Sequence, residues 1–245
     1  MKPSPKSSVE PPSLLAFGAH PDDIEFGCGG IIAGESQKGR TVHLVVCSKG
    51  EAATHGTPEQ RSAEAQKAAA VLGATLEFAV LDGDARLECR FEHTLRLAGI
   101  IRRLKPGIVL APSLSENQHP DHPKLGRIVR DAARLARYGG LAELRDLPAH
   151  SIGQLLFYAL GPGSEPAGSQ PVLIDVSAPS VLKAWTAAMQ AHATQMRTRD
   201  YLELQLGRAR LHGLAAGVGY AQPLYPADSP VFNSLDPLAR GARQF

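Results

Sequence analysis

Only three cysteines, Cys28, Cys47 and Cys89, occur in the 245 residues. An odd count without paired spacing excludes a disulfide framework and fits a reducing compartment. Long apolar runs are missing as well: none approaches the ~18 residues of a membrane span. The N-terminal MKPSPKSSVEPPS also lacks the apolar stretch of a secretory signal. No single sign of charge dominates, since 26 Lys and Arg are interspersed with 24 Asp and Glu, leaving a formal net charge of +2. Such a chain presents no extended field to nucleic acid or to an anionic membrane. These absences predict a cytoplasmic protein whose partner is a small molecule, with no nucleic-acid and no membrane partner. Residues 1–12 read as a disordered tail, and residues 13–245 as a single domain long enough to bury its own core.

The rest of the chain alternates two patterns. The run Leu14-Leu15-Ala16-Phe17-Gly18-Ala19 is short, continuous and apolar, as a buried parallel strand is. Residues 28–39 then read as a helix closed by Gly39, and residues 42–47 (VHLVVC) as a second strand. Thr57-Pro58-Glu59-Gln60 combines an N-cap, a first-turn proline and a capping-box partner, which predicts a helix over 58–72 ending at Gly73. A third strand is expected near 76–81, a helix over 91–104 and a fourth strand over 107–111 (GIVLA). Later elements are a helix around 123–138, strands at 154–159 and 172–176, and helices at 179–193 and 198–212, with a loop over 161–171. This alternation predicts the α/β class: a Rossmann-like three-layer fold with a mainly parallel sheet flanked by helices.

AHPDDIEFGCGG (residues 19–30) ends the first strand, and its His20, Asp22 and Asp23 fall on a strand-to-helix turn. In open α/β sheets the carboxyl ends of the strands are where ligands bind. QHPDH (residues 118–122) follows the fourth strand and would lie on the same rim. One His-Pro-Asp is a common turn; two of them after two strands, in a chain with nine histidines, point to a metal site. Zinc in hydrolytic sites takes three nitrogen or oxygen ligands and leaves a position for water, whose pKa it lowers to about 7. His20, Asp23 and His122 would supply the ligands for one divalent ion per chain, and Asp22 would be free to act as general base. The same donors also suit iron, cobalt or manganese. His43 alternates with strand residues, and His55, His93, His150, His192 and His212 lack a nearby carboxylate cluster, so they read as core-edge or surface histidines. A sugar- or nucleotide-binding module without catalysis is the rival class. GCGG lacks the spacing of a dinucleotide or phosphate-loop fingerprint, however, and the neighbouring acids would repel an anion.

AHPDDIEFGCGG together with HPDH resembles the zinc-dependent de-N-acetylases of the PIG-L (LmbE-like) family over most of the chain. The resemblance implies hydrolysis of the N-acetyl group of a substituted glucosamine and an assembly of several subunits, for which Leu211–Val218 is a candidate surface. AHPDDIE, GTPEQR, NQHPDHP, LPAH and VLIDVS are most similar to the bacillithiol-biosynthesis members, which act on N-acetylglucosaminyl malate. Mycothiol precursors, inositol conjugates and chitooligosaccharides remain alternative substrates. The family pattern likewise assigns His20, Asp23 and His122 to the metal, Asp22 to the base and His119 to stabilising the tetrahedral intermediate. Asp121 would either orient His119 or cap the helix at 123. Arg61 matches a substrate-contacting position, and a guanidinium suits malate carboxylates. Asp84 matches the acceptor of a sugar hydroxyl, with Asp82 a competing register. The segment after Gln195 and SKGEA (residues 48–52) depart from the bacillithiol pattern.

Overall fold

Seven strands form one sheet in the order β3-β2-β1-β4-β5-β7-β6. The computed structural model describes residues 11–116, 119–197 and 199–242. Most of the expected tail, together with Asn117 and Gln118, therefore lies outside the described residues. The Pro12 carbonyl accepts a bond from Arg40. Along the chain come β1 (Leu14–Gly18), α1 (Asp23–Gln37), β2 (Val42–Val46), α2 (Pro58–Leu72), β3 (Thr75–Phe78), α3 (Phe91–Leu104), β4 (Ile108–Pro112) and α4 (Asp121–Ala136). The second half contributes β5 (Gln154–Tyr158), β6 (Val172–Asp175), α5 (Pro179–Ala191), α6 (Tyr201–Ala216) and β7 (Ala221–Pro226). The first five strands are parallel, while β7 runs antiparallel to both β5 and β6.

Strand alternation divides the core between the two faces of the sheet. Leu14, Ala16, Val42 and Leu44 pack against α1, α2 and α5, whereas Leu15, Phe17, Val45 and Val109 pack against α3 and α4. Both faces are thus covered, as a parallel sheet requires. Among the described residues no helix is long and apolar enough to cross a membrane. On α6, Leu211 and Leu214 are exposed.

The expected α2 forms as its sequence signals require. The Thr57 hydroxyl accepts from the Gln60 backbone, the Gln60 side chain returns the bond, and Gly73 closes the helix in a left-handed conformation. β7 has no counterpart among the sequence expectations. Pro223 and Pro226 disguise it, because a proline cannot donate to a ladder and argues against a strand away from an edge.

Helix α1 begins five residues earlier than expected and is kinked at Cys28 (φ −147°, ψ 18°). Two distant side chains satisfy backbone groups at the kink: the Trp185 indole donates to the Glu25 carbonyl (2.8 Å), and Gln222 Oε1 accepts from the Ile31 amide (2.9 Å). Gly27 packs closely against the ring of Tyr158, whose hydroxyl donates to the Phe17 carbonyl at 2.7 Å. A Cβ at position 27 would run into that fully buried ring. Gly27→Ala is therefore expected to destabilise the fold by about 1–3 kcal/mol, the usual cost of overpacking. Urea denaturation checks this; an unchanged midpoint would mean that the Tyr158 ring gives way freely.

Candidate metal centre and active-site cleft

The loops following β1, β2, β3 and β4 meet at one rim of the sheet, where the strand order reverses between β1 and β4. Immediately after β1 the chain turns sharply, and Asp22 is held at φ 113°, a left-handed conformation that few residues other than glycine adopt. Asp23 closes the turn: its Oδ2 accepts from the amides of Ala19 (2.8 Å) and His20 (2.9 Å). From the loop after β2, Ser48 Oγ donates to the Ala19 carbonyl at 2.8 Å. The turn is thus fastened on both sides before any ligand is considered.

The second motif starts α4 on the opposite side of the crevice. His122 Nε2 lies 3.1 Å from Asp23 Oδ1, and His20 Nδ1 lies 3.5 Å from Asp23 Oδ2. His20 Nε2 meets two more carboxylates, Asp84 at 3.2 Å and Asp121 at 3.3 Å. The rings of His20 and His119 meet edge to face, 4.2 Å between centroids. The structure therefore brings His20, Asp23 and His122 together, and Asp84, His119 and Asp121 with them. Asp121 is the first residue of α4 and makes no capping bond through its side chain. Its Oδ2 instead accepts from His20 and from the Ala85 amide (2.8 Å), and its own amide donates to His119 Nδ1 (3.3 Å). Of the two candidate aspartates after β3, Asp84 enters the cluster, 3.5 Å from His119 Nε2. Asp82 turns to Arg90 (3.0 Å) and His93 (3.4 Å).

Arg61 reaches this rim from α2 and is almost completely buried. Its Nη2 donates to the Pro21 carbonyl (2.7 Å) and to Asp22 Oδ2 (3.2 Å), while Nη1 lies 3.7 Å from Asp84. Gly50, at φ 73°, is packed so closely on this guanidinium that a Cβ would overlap it.

Electrostatics separate the two adjacent aspartates. Burial pushes Asp22 up to about 6, against the opposing charge of Arg61. Burial acts on Asp23 in the same direction, but the charges and hydrogen bonds of His122 and His20 hold its carboxyl well below the ordinary range. His20 is raised well above its usual value: burial works against the charged ring, and Asp23, Asp121 and Asp84 overcome it. Asp84 and Asp121, though partly desolvated, are lowered by His20 and His119.

The donor set fits a divalent cation. Ring nitrogens of His20, His119 and His122 lie within 4.8 Å of one another, as do donor atoms of His20, Asp84, His119 and Asp121. Asp23 borders the first of these groups, touching two of its three rings. Among the described residues Asp121 Oδ1 is buried with no hydrogen-bond partner, as a carboxylate oxygen awaiting a cation would be.

The cluster lines a cleft of about 460 Å³ whose far wall includes Phe26, Leu160, Gln195 and Tyr201. Phe26 and Tyr201 stack at 5.3 Å. No local pattern foretold this wall, because Phe26 lies more than a hundred residues from Leu160, Gln195 and Tyr201. Glu51 was also missed: it lies in the departing SKGEA segment and accepts from the Asp84 amide (3.0 Å), holding that loop in place. His192 is the clearest correction among the other histidines, being fully buried with Nε2 3.5 Å from Glu25.

A family model described as GlcNAc-PI de-N-acetylase (PIG-L) matches residues 15–133. An uncharacterized deacetylase of Escherichia coli is 30% identical over 147 residues, covering 59% of this chain and 72% of that one. The 1D-myo-inositol 2-acetamido-2-deoxy-alpha-D-glucopyranoside deacetylase 2 of Catenulispora acidiphila is 29% identical over 288 aligned positions, covering 91% and 94%. The 4-oxalmesaconate hydratase of Pseudomonas putida is 31% identical over 140 residues, covering 52% and 54%. The chain spans little more than half the length of the first curated relatives it matches. Among solved structures, a conserved protein from Thermus thermophilus superposes with a TM-score of 0.82 at 29% identity, over 94% of this chain and 100% of that one.

Proposed function

We propose that this chain, which belongs to the PIG-L family, is a metal-dependent deacetylase that hydrolyses the acetamide of an N-acetylglucosaminyl conjugate to acetate and a free amine. The observation that carries this reading is the pairing of a cation-ready cluster with a second, separately held carboxylate, Asp22, in the same cleft. His20, Asp23 and His122 would hold the ion, with zinc as the first choice for a nitrogen- and oxygen-ligated hydrolytic site. Such an ion, when bound, supplies Lewis-acid polarisation of the acetamide carbonyl.

The remaining steps belong to the chain's own side chains. Asp22 takes the proton of the attacking water; a carboxylate raised to about 6 is a competent base near neutrality and still largely ionised there. Its orientation is imposed by the left-handed turn and by the Arg61 bond to Oδ2. His119, which faces the cleft beside Asp84, donates to the developing oxyanion. Asp84 accepts a sugar hydroxyl from the same wall. N-acetylglucosaminyl malate is the specific substrate favoured by the sequence motifs.

In this reading Arg61 has a second task besides the substrate contact expected from sequence, since its guanidinium is bonded to the proposed base. Arg61→Ala is expected to lower kcat about 10- to 100-fold on neutral and anionic glucosaminides alike, the scale of a lost hydrogen bond to a charged group. The acid limb of the pH profile should also move upward, because Arg61 holds Asp22 down against burial. A loss confined to the malate conjugate would return Arg61 to the role of a substrate-charge reader.

Acetate release from N-acetylglucosaminyl malate, an inositol conjugate, diacetylchitobiose and free N-acetylglucosamine, measured with zinc-loaded protein, tests the reading. The hydratase relative motivates the competing one. Consumption of 4-oxalmesaconate with no acetate from any glucosaminide would replace deacetylation by water addition.

A further inference from the structure

A second chamber of about 270 Å³ adjoins the catalytic cleft and shares His122, Leu160 and Tyr201 with it as common walls. Its other side is formed by Gly161, Pro162 and Arg199. The two chambers differ in charge. Asp22, Asp23 and Asp84 line the cleft, and its one guanidinium, Arg61, is buried and bonded to Pro21 and Asp22. Arg199 is exposed, with its guanidinium carbon 5.9 Å from the centroid of the Tyr201 ring. No carboxylate among the described residues pairs with it. Asp200, next in sequence, is committed to the Glu203 amide (2.9 Å), and Glu165 is committed to Arg208 (2.7 Å).

We propose that this side chamber is the subsite for an anionic substituent of the substrate, and that Arg199 reads its charge. The inference rests on the deacetylase reading and deepens it by naming the substrate class: glucosaminides whose aglycone bears a carboxylate or a phosphate. In the cleft the three aspartates are matched by Arg61 and by the cation the site would hold, which leaves no spare positive charge there, so an anion on the aglycone is accommodated where the wall turns cationic. A planar guanidinium braced on an aromatic face matches carboxylate or phosphate oxygens in a two-pronged geometry. The neutral sugar stays in the cleft, and Tyr201 separates the two parts.

Three glycosides distinguish the possibilities: a neutral methyl N-acetylglucosaminide, N-acetylglucosaminyl malate and N-acetylglucosamine 1-phosphate. Arg199→Ala is expected to raise KM for one or both anionic substrates about tenfold or more, with kcat preserved, and to leave the neutral glycoside unchanged. Which anion is affected identifies carboxylate or phosphate as the ligand. Arg199→Lys keeps the charge without the fork and should fall between the two. Equal KM changes on neutral and anionic glycosides would overturn the subsite. A binding readout independent of turnover accompanies the kinetics: malate or inorganic phosphate alone should raise the Tm of the wild-type protein and lose that effect in Arg199→Ala. If no glycoside releases acetate, the deacetylase reading falls, while the thermal shift still decides whether Arg199 binds an anion; an identical shift in both proteins overturns it.

Discussion

Replacing His122 with alanine is expected to leave a folded protein that no longer retains stoichiometric metal and releases no measurable acetate. The imidazole is one of three proposed ligands, and its Nε2 sits 3.1 Å from Asp23 Oδ1, so its removal opens the site on the α4 side and deprives a second ligand of its partner. Loss of one of three protein ligands leaves an incomplete shell, and activity should disappear with the metal. His20→Ala should behave alike, His20 being the ring that touches Asp23, Asp84 and Asp121. Asp23→Ala adds a structural cost, because Asp23 also accepts the Ala19 and His20 amides that close the turn. His122→Ala is thus the cleanest of the three. Elemental analysis of dialysed protein and zinc-dependent thermal stabilisation provide two readouts. At a metal concentration of 100 Kd the wild-type protein should gain about 2.7 kcal/mol, and the variant almost none. Full metal occupancy in any one variant would remove that residue from the ligand set.

Asp22→Asn should give the opposite pattern: metal and fold retained, with turnover reduced by about two to four orders of magnitude, the range of a lost general base. Asparagine is nearly isosteric, tolerates the left-handed backbone at φ 113°, and leaves Arg61 its bond to the Pro21 carbonyl. Stability supplies a second check on the metal-free protein. The Asp22 carboxyl is raised from 3.8 to about 6, so between those values the native state binds the proton more readily than the unfolded chain does. The contribution of Asp22 to stability therefore falls as pH rises through that window, and the asparagine variant should lack it. Chemical denaturation of both metal-free proteins at pH 4 and pH 7 measures the difference. Near-normal turnover in Asp22→Asn would transfer the role of base to another group.

Sequence alone determined the parts of this protein whose physics is local. Helix α2 was legible to the residue because Thr57, Pro58, Gln60 and Gly73 each meet a backbone requirement within one turn of themselves. The buried parallel strands were legible because both of their faces are apolar, and the two His-Pro-Asp motifs because each follows such a strand. Helix α1 was misread at its start, since the GCGG stretch weakens any helical pattern and its kink is satisfied by Trp185 and Gln222, about 160 and 190 residues away. Tertiary structure alone decided that Asp84 rather than Asp82 joins the cluster, that Arg61 bonds Asp22, that His192 is buried on Glu25, and that a proline-bearing β7 lies between β5 and β6. Capping and periodicity are satisfied by neighbours a few residues apart. The meeting of Arg61 with Asp22 depends on the register of β1 against β2 and the packing of α2 on the sheet, so it exists only once the whole core has assembled.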